Sequence, residues 1–363
     1  MSFEFSIDGP EFAAAIERAC MANPKVVGVF LVQGAIWLTG RDEWALTTWV
    51  PCNYAGEPQR FVVAGKFLAG VVRVFAATGE ARVQVDDSAV IVRSGRSHAR
   101  VDLVGMEDWP GNPLRPLPDG ELIDFGSTLA AVGWALGDPL DVGLGTLRGV
   151  NLDGEWASSS DRIVAARIAF PCPAFRETPV SLPPKFVPVA LGPMRFSVGP
   201  ERDANREPCA AYVGGENWVA RIPLYGGKLY NLAFVFQDRP AHCTVTVERR
   251  ILVEAAGAAR LLVGKDAGLE GSTPRITFIV GSEVLTLRSG RADSQAGGEM
   301  VLASPQVEIA GQATTFSSVP GTLERALRGI PGKTVTLEFR PEKIAPMRIV
   351  SDNGYTAIIA PVV

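Results

Sequence analysis

A chain of 363 residues is too long for one ordinary core and suits two or three domains, each large enough to bury its own. Hydrophobic residues at 47% and charged residues at 20% exclude a disordered chain, and a formal charge of −4 excludes a surface that is basic throughout, though not a local basic patch or channel. No stretch approaches the ~20 uninterrupted apolar residues of a membrane helix. The opening MSFEFSIDGPEF has neither a basic nor an apolar leader region, so a cytoplasmic protein with no membrane partner is expected. Five cysteines at scattered spacings, with no C-x-x-C, read as reduced and mostly buried small hydrophobes.

In chain order, the first helix candidate begins near Glu11, with Phe12, Ile16 and Cys20 on one face. An alternating hairpin, VGVFLVQGAIWLTGRDEW, follows at 27–44. In the next helix Phe67, Val71, Val74 and Phe75 recur at i, i+4, i+7 and i+8, which predicts a core-facing stripe. Val83 and Val85, then Val90 and Val92, alternate as strands joined at Asp86-Asp87. The second of these runs into Arg93-Ser94-Gly95-Arg96, a tetrad that recurs at Arg288-Ser289-Gly290-Arg291. EDWPGNPLRPLPDGE (107–121) reads as a domain joint.

Beyond it come a helix near Ser127, with Leu129, Val132 and Leu136, and a second hairpin, LRGVNLDGEWASSSDRIV (147–164). A helix from Lys185 through Phe186 and Val189 is weakened by Pro188 and Pro193, which remove backbone donors. FQDRPAHC (236–243) is the second joint. A helix from Glu248 carries Leu252, Ala255, Ala259 and Leu262, and a third hairpin, PRITFIVGSEVLTLRSGRAD, spans 274–293. The last helix has Leu323, Leu327 and Ile330, a Pro-Gly break at 331–332, and then the strands TVTLEF and MRIVSDNGYTAIIAPVV. The three hairpins stand about 120 residues apart, and each third of the chain holds two helix-plus-strand units. The expected class is α+β, with antiparallel strands and domains at 1–118, 119–238 and 239–363.

Motifs for catalysis are wanting. GIPGKT (329–334) lacks the first glycine of a phosphate loop and runs from helix to strand, and GLGTLRG (143–149) has the wrong spacing for a dinucleotide fingerprint. His98 and His242 are the only histidines, in different thirds of the chain, and the carboxylates are spread along turns. A non-enzyme without cofactor or metal is expected.

The sixfold pattern, the segment SGRSHARVDLVGMEDWP closing the first third, and the final IIAPVV together resemble the bacterial sliding clamp, the beta subunit of DNA polymerase III. The resemblance implies a DNA-clamp fold: three domains per chain, and a homodimer closed head to tail into a ring whose helices face double-stranded DNA without reading its sequence. It implies a DNA-facing set of Arg18, Lys66, Arg73, Arg249, Arg260, Arg325 and Arg328, because phosphates attract cations without sequence preference. It implies a hydrophobic groove for short linear peptides of replicative polymerase and clamp-loader subunits. The groove positions are Leu147, Ser158, Ser160, Asp161, Arg162, Ile163, Tyr230, Phe234, Val235, Ile344, Ile358, Ala360 and Val362.

It also implies a dimer contact in which Arg93, Arg96, Ala99, Arg100 and Val101 on an edge strand meet Leu261, Leu262, Asp293 and Glu299 of a second copy. Ser158 to Arg162 depart from the family's Thr-Asp-Gly-His-Arg. Tyr230 and Phe234 stand for its Pro and Arg, and Ala360 and Val362 for methionines, a divergence suited to a phage-encoded or paralogous member. Removing Ile359 to Val363 is expected to abolish peptide binding and leave the ring intact. The rival expectation is a clamp-fold structural or regulatory protein that binds partner peptides without encircling DNA.

Overall fold

The computed structural model describes residues 2–75, 77, 79–117, 119–136, 149–161, 163–187, 192–204, 206, 208–224, 232–262, 275–290, 297–341 and 345–361. Along the first third run β1 (Phe3–Asp8), α1 (Gly9–Ala22), β2 (Val27–Val32), β3 (Ala35–Arg41), β4 (Ala45–Asn53), β5 (Gln59–Val63), α2 (Gly65–Phe75), β6 (Glu80–Val85), β7 (Ala89–Ser94) and β8 (Ser97–Val104). The middle holds β9 (Glu121–Asp124), α3 (Thr128–Gly133), β10 (Val150–Leu152), β11 (Trp156–Ser160), β12 (Val164–Ala169), α4 (Pro173–Glu177), β13 (Val180–Leu182), β14 (Pro193–Val198), β15 (Ala210–Gly214) and β16 (Trp218–Pro223). Then follow β17 (Cys243–Glu248), α5 (Arg249–Leu262), β18 (Arg275–Val280), β19 (Val284–Gly290), β20 (Gly297–Ala303), β21 (Val307–Gly311), β22 (Thr314–Ser318), α6 (Pro320–Gly329), β23 (Thr334–Phe339), β24 (Met347–Ser351) and β25 (Thr356–Ile359).

Two compact units result, residues 1–124 with 192–224, and residues 125–191 with 225–363. The first is built on one antiparallel sheet in the order β1-β6-β7-β8-β5-β2-β3-β4-β16-β15-β14-β9. A further pairing of β1 with β4 closes its first eight strands on themselves. Helix α1 starts where Asp8 accepts from the Glu11 amide at 2.8 Å and Pro10 presets the first turn. Its Phe12, Ile16 and Cys20 are buried as the sequence predicts, among Phe5, Leu31, Val83 and Val92. At Gly40 on β3 an added Cβ would stand 2.0 Å from the Ala19 carbonyl oxygen, so the helix end lies on bare backbone there.

On α2 the sequence reading needs correction. The buried residues include Leu68, Ala69 and Val72; of the predicted stripe, Val71 and Phe75 are half-buried and pack against the core, whereas Phe67 and Val74 are 60% and 73% exposed. Apolar residues run round more than one face of this helix, and the periodicity alone took in Phe67 and Val74 from the outer one. The 107–121 stretch, read as a joint, lies along the sheet: Pro110 fills the space over Gly28, and the Leu114 amide donates to Thr47 Oγ1 at 2.9 Å. Beside it Trp37 and Trp49 stack at 4.9 Å, and the Arg60 guanidinium sits 5.0 Å over Phe30.

The second unit holds a nine-stranded sheet, β13-β10-β11-β12-β25-β24-β23-β17-β21, and a four-stranded one, β20-β19-β18-β22. Helix α3 is shorter than predicted: it ends at Gly133, and the Ala135 and Leu136 amides turn to the Val132 and Gly133 carbonyls three residues back at 3.1 and 3.4 Å, while Trp134 Nε1 donates to the Tyr355 hydroxyl at 2.7 Å. Burial holds the Tyr355 phenol above its ordinary pKa. Near Lys185 there is one short 3-10 turn, Pro184–Phe186, in place of a helix; Val189 and Pro188 lie outside the described residues. Phe125, Phe170, Phe175 and Phe186 pack as one aromatic cluster, and Phe278, Phe316 and Phe339 as another.

The two Arg-Ser-Gly-Arg stretches differ in structure. In the first, Gly95 takes φ +59° in the two-residue turn between β7 and β8. In the second, Arg288 to Gly290 are still strand, paired with Glu299 to Gly297, and Arg291 lies outside the described residues.

Candidate functional site

The apolar cleft of the second unit forms around the turn from β11 to β12. Asp161 accepts from the Ile163 and Val164 amides at 2.9 and 2.7 Å, and Ser160 Oγ donates to the Val164 carbonyl at 2.8 Å. That turn leaves Ile163 pointing outward, 66% exposed. Next to β12 lies β25, with Ala165 opposite Ile358, and the Ala360 amide donates to the Ile163 carbonyl at 3.1 Å. The third side is the turn at 232–236, closed by the Val235 amide on the Leu232 carbonyl. Leu232 and Phe236 pack on Ala165 and Ile358 with Val235 half-buried, while Phe234 is 57% exposed.

These segments enclose a cleft of ≈ 510 Å³, within the usual range for a ligand pocket. Ser160, Ile163, Phe234, Val235, Ile358 and Ala360, all anticipated from the sequence, line it together. Asp161 shapes its turn, and Ser158 sits in mid-strand opposite Arg167. Leu147, Arg162, Tyr230, Ile344 and Val362 lie outside the described residues. The sequence reading missed Val164, Ala165, Leu232, Arg239, Arg340, Pro346 and Pro361. The available signal was the alternation of TVTLEFR, which sets Arg340 on the same strand side as Glu338.

Behind the cleft Arg348 ties two elements together, reaching Asp238 at 2.7 Å and Glu338 at 3.1 Å. The Arg167 guanidinium lies 4.3 Å over Trp156 and 4.6 Å over Phe236. Burial first, then the like charge of Arg348, pulls its pKa below the ordinary arginine value, opposed by Asp238.

The residues expected to face DNA have varied surroundings. Lys66 and Arg325 are exposed. Arg73 pairs with Glu17, and Arg328 with Glu324 at 2.6 Å. Arg18 donates to Asn217 at 2.9 Å, and burial lowers its pKa. Arg249 caps the end of α6 through the Ile330 and Leu327 carbonyls at 3.0 and 3.4 Å.

At the expected dimer contact, β8 meets β5 only at Leu103 and Val104, so its 97–102 edge is unpaired among the described residues. There Arg93 donates to Gln84 at 2.9 Å, Arg96 is exposed, Ala99 half-buried and Val101 buried. Arg100 lies 3.4 Å from Asp102 and 3.7 Å from Asp86. Glu299 on β20 pairs with Arg288 at 3.0 Å within its own hairpin. The side chains of Arg260, Leu261 and Leu262, and all of Asp293, lie outside the described residues. Among the described residues no three His, Cys, Asp or Glu side chains gather as a metal site, and no helix is long and apolar enough to cross a membrane.

No family model matches this sequence, and no curated protein sequence matches it either. Solved structures do. The DNA polymerase III beta subunit of Thermotoga maritima is similar over 100% of both chains, with TM-score 0.79 and 16% identity. That of Borrelia burgdorferi is similar over 99% of this chain and 98% of its own, with TM-score 0.81 and 11% identity. The Bacillus subtilis DNA polymerase sliding clamp is similar over 100% of both chains, with TM-score 0.77 and 14% identity. At such identities a likeness speaks to architecture alone, and from end to end this chain has the α+β DNA-clamp fold of bacterial DNA polymerase III beta subunits.

Proposed function

We propose that this chain is a sliding clamp, a processivity factor in which two copies close head to tail around duplex DNA while the cleft at Ile163, Phe234 and Ile358 tethers polymerase and clamp-loader subunits by short peptides. The observation that carries this reading is the coincidence of a full-length clamp fold with an apolar cleft lined by six of the thirteen positions that the sequence resemblance assigned to the groove. Each copy would contribute three domains, 1–118, 119–238 and 239–363, to the ring. It would act in the cytoplasm, as a tether with no catalytic group or cofactor of its own.

Ring closure has candidate surfaces. Among the described residues the 97–102 edge of β8 is unpaired, as is the outer edge of β20, where Val301 is 56% exposed. A strand edge of this kind invites pairing with another chain, and a head-to-tail contact closes a ring when its rotation permits. Helix α2 packs against β8, and its Phe67 and Val74 are exposed. Leu261, Leu262 and Asp293 would come from the second copy. Ion pairing across the joint would be weak, because Arg100 and Glu299 already have partners in their own chain. On the DNA side, Lys66 and Arg325 are available outright. The exposed Arg73 sits in a surface pair with Glu17 worth little, which phosphates can displace, whereas Arg328 pairs with the buried Glu324, whose carboxylate would lose this partner if Arg328 turned to DNA.

A second reading, a clamp-fold protein that binds peptides without encircling DNA, is favoured by the internal engagement of Arg18 and Arg249. Two measurements separate the readings. Light scattering at micromolar concentration should give a dimer, and protein loaded on a nicked circular plasmid should be retained until the circle is cut. A monomer that leaves circular and linear DNA equally fast selects the second reading.

A further inference from the structure

The charge around the cleft points to the kind of peptide it takes. Its floor is apolar, with Val164, Ala165, Leu232 and Ile358 buried, and among the described residues its charged lining consists of Arg239 and Arg340 with no Asp or Glu. Two carboxylates lie close along the chain, Asp238 next to Arg239 and Glu338 two residues before Arg340. Both turn instead to Arg348, whose side chain is only 12% exposed. Neither Arg239 nor Arg340 has an ion-pair partner among the described residues. Among the described residues, with Arg167 and Arg348 behind them, four guanidiniums face Asp238 and Glu338 around one apolar cleft, while the Asp161 carboxylate is taken up by the amides of its own turn, in a chain whose overall charge is −4.

We propose, building on the peptide-groove reading above, that this cleft selects acidic apolar peptides: short extended segments whose bulky apolar side chains fill the floor while an Asp or Glu pairs with Arg340 and Arg239. The guanidinium fork suits a carboxylate, which it can grip with two parallel hydrogen bonds. Strand addition does not supply the affinity here, since β12 and β25 are each paired on both sides. Side-chain pockets and charge must discriminate instead, and rim charge acts chiefly through complementarity and on-rate.

The test uses the full chain and fluorescein-labelled octapeptides read by anisotropy. One carries Leu and Phe anchors with Asp and Glu, a second keeps the anchors but has Asn and Gln, and a third keeps the acids but replaces the anchors by Ser. The expected order is the acidic apolar peptide, then its amide isostere roughly tenfold weaker, with the anchorless peptide unbound. Salt should narrow the first gap. Arg340→Gln should bring acid and amide peptides close to parity without weakening the amide peptide, and the exposed Arg239→Gln should do so in part, which guards against a folding defect at Arg340. Equal affinity of acid and amide peptides for the parent chain overturns the charge selection and leaves the groove standing. Binding of the anchorless acidic peptide as tightly as the anchored one overturns it too, as plain surface attraction. Failure of every anchored peptide to bind overturns both the selection and the groove.

Discussion

At the scale of residues, the chain holds a polar triad that no local pattern announces. Glu201 Oε1 accepts from the Tyr212 hydroxyl at 2.7 Å and from Arg221 Nε at 3.0 Å. Burial alone would raise the Glu201 pKa, but the hydrogen bonds from Tyr212 and Arg221 outweigh it and hold the carboxyl below its ordinary value. A depressed folded pKa means stability that is present above the unfolded value near pH 4 and lost as pH falls through the folded one. Glu201→Gln should therefore lower stability by about 1 kcal/mol at pH 7. Melting curves from pH 7 to pH 3 should show the gap between variant and parent closing; a gap that stays constant would refute the ionic role. The thiols, by contrast, were legible. Burial pushes Cys20 and Cys52 up to about 11, so both stay protonated at neutral pH and behave as the small hydrophobes their scatter suggested.

At the scale of elements, legibility depended on whether one face alone was apolar. Helix α1 has a single apolar stripe, and Phe12, Ile16 and Cys20 are buried as read. Helix α2 has two overlapping stripes, and only the packing of Leu68 and Val72 decides between them. In the cleft, several apolar members could be placed by resemblance, but that Asp238 and Glu338 turn away from Arg239 and Arg340 depends on Arg348 across the sheet. The final strand sharpens the truncation test. Ile359 is 1% exposed and pairs with Val164 and Met347, so its loss would damage the sheet itself. Ending the chain after Ile359 removes the cleft residues Ala360 and Pro361 and leaves that pairing whole. The shortened chain should keep its melting temperature within a few degrees and bind anchored peptides at least tenfold more weakly, as calorimetry and anisotropy would record.

At the scale of the whole molecule, the six-unit repeat was visible as spacing, whereas the way sheets join distant thirds was not. Hydrophobic period assigns a residue to a strand and a face but says nothing about which strand lies beside it. Residues 121–124 and 193–223 complete the sheet begun by residues 3–104. A fragment of residues 1–118 would thus leave Ala45 to Thr48 of β4, all buried in the whole chain, as a bare strand edge. Such a fragment should self-associate at micromolar concentration in sedimentation velocity; a well-behaved monomer would show that the first eight strands suffice alone.

The pairing of β4 with β16 also sets a clock. Thr48 meets Trp218, made roughly 170 residues later. At a synthesis rate of about 5 to 20 residues per second, β4 waits about ten to thirty seconds for its neighbour, while a hairpin forms in about 1 to 10 microseconds. The first unit is therefore finished on the timescale of translation, and its open edge is the part of a nascent chain that a holding chaperone would meet.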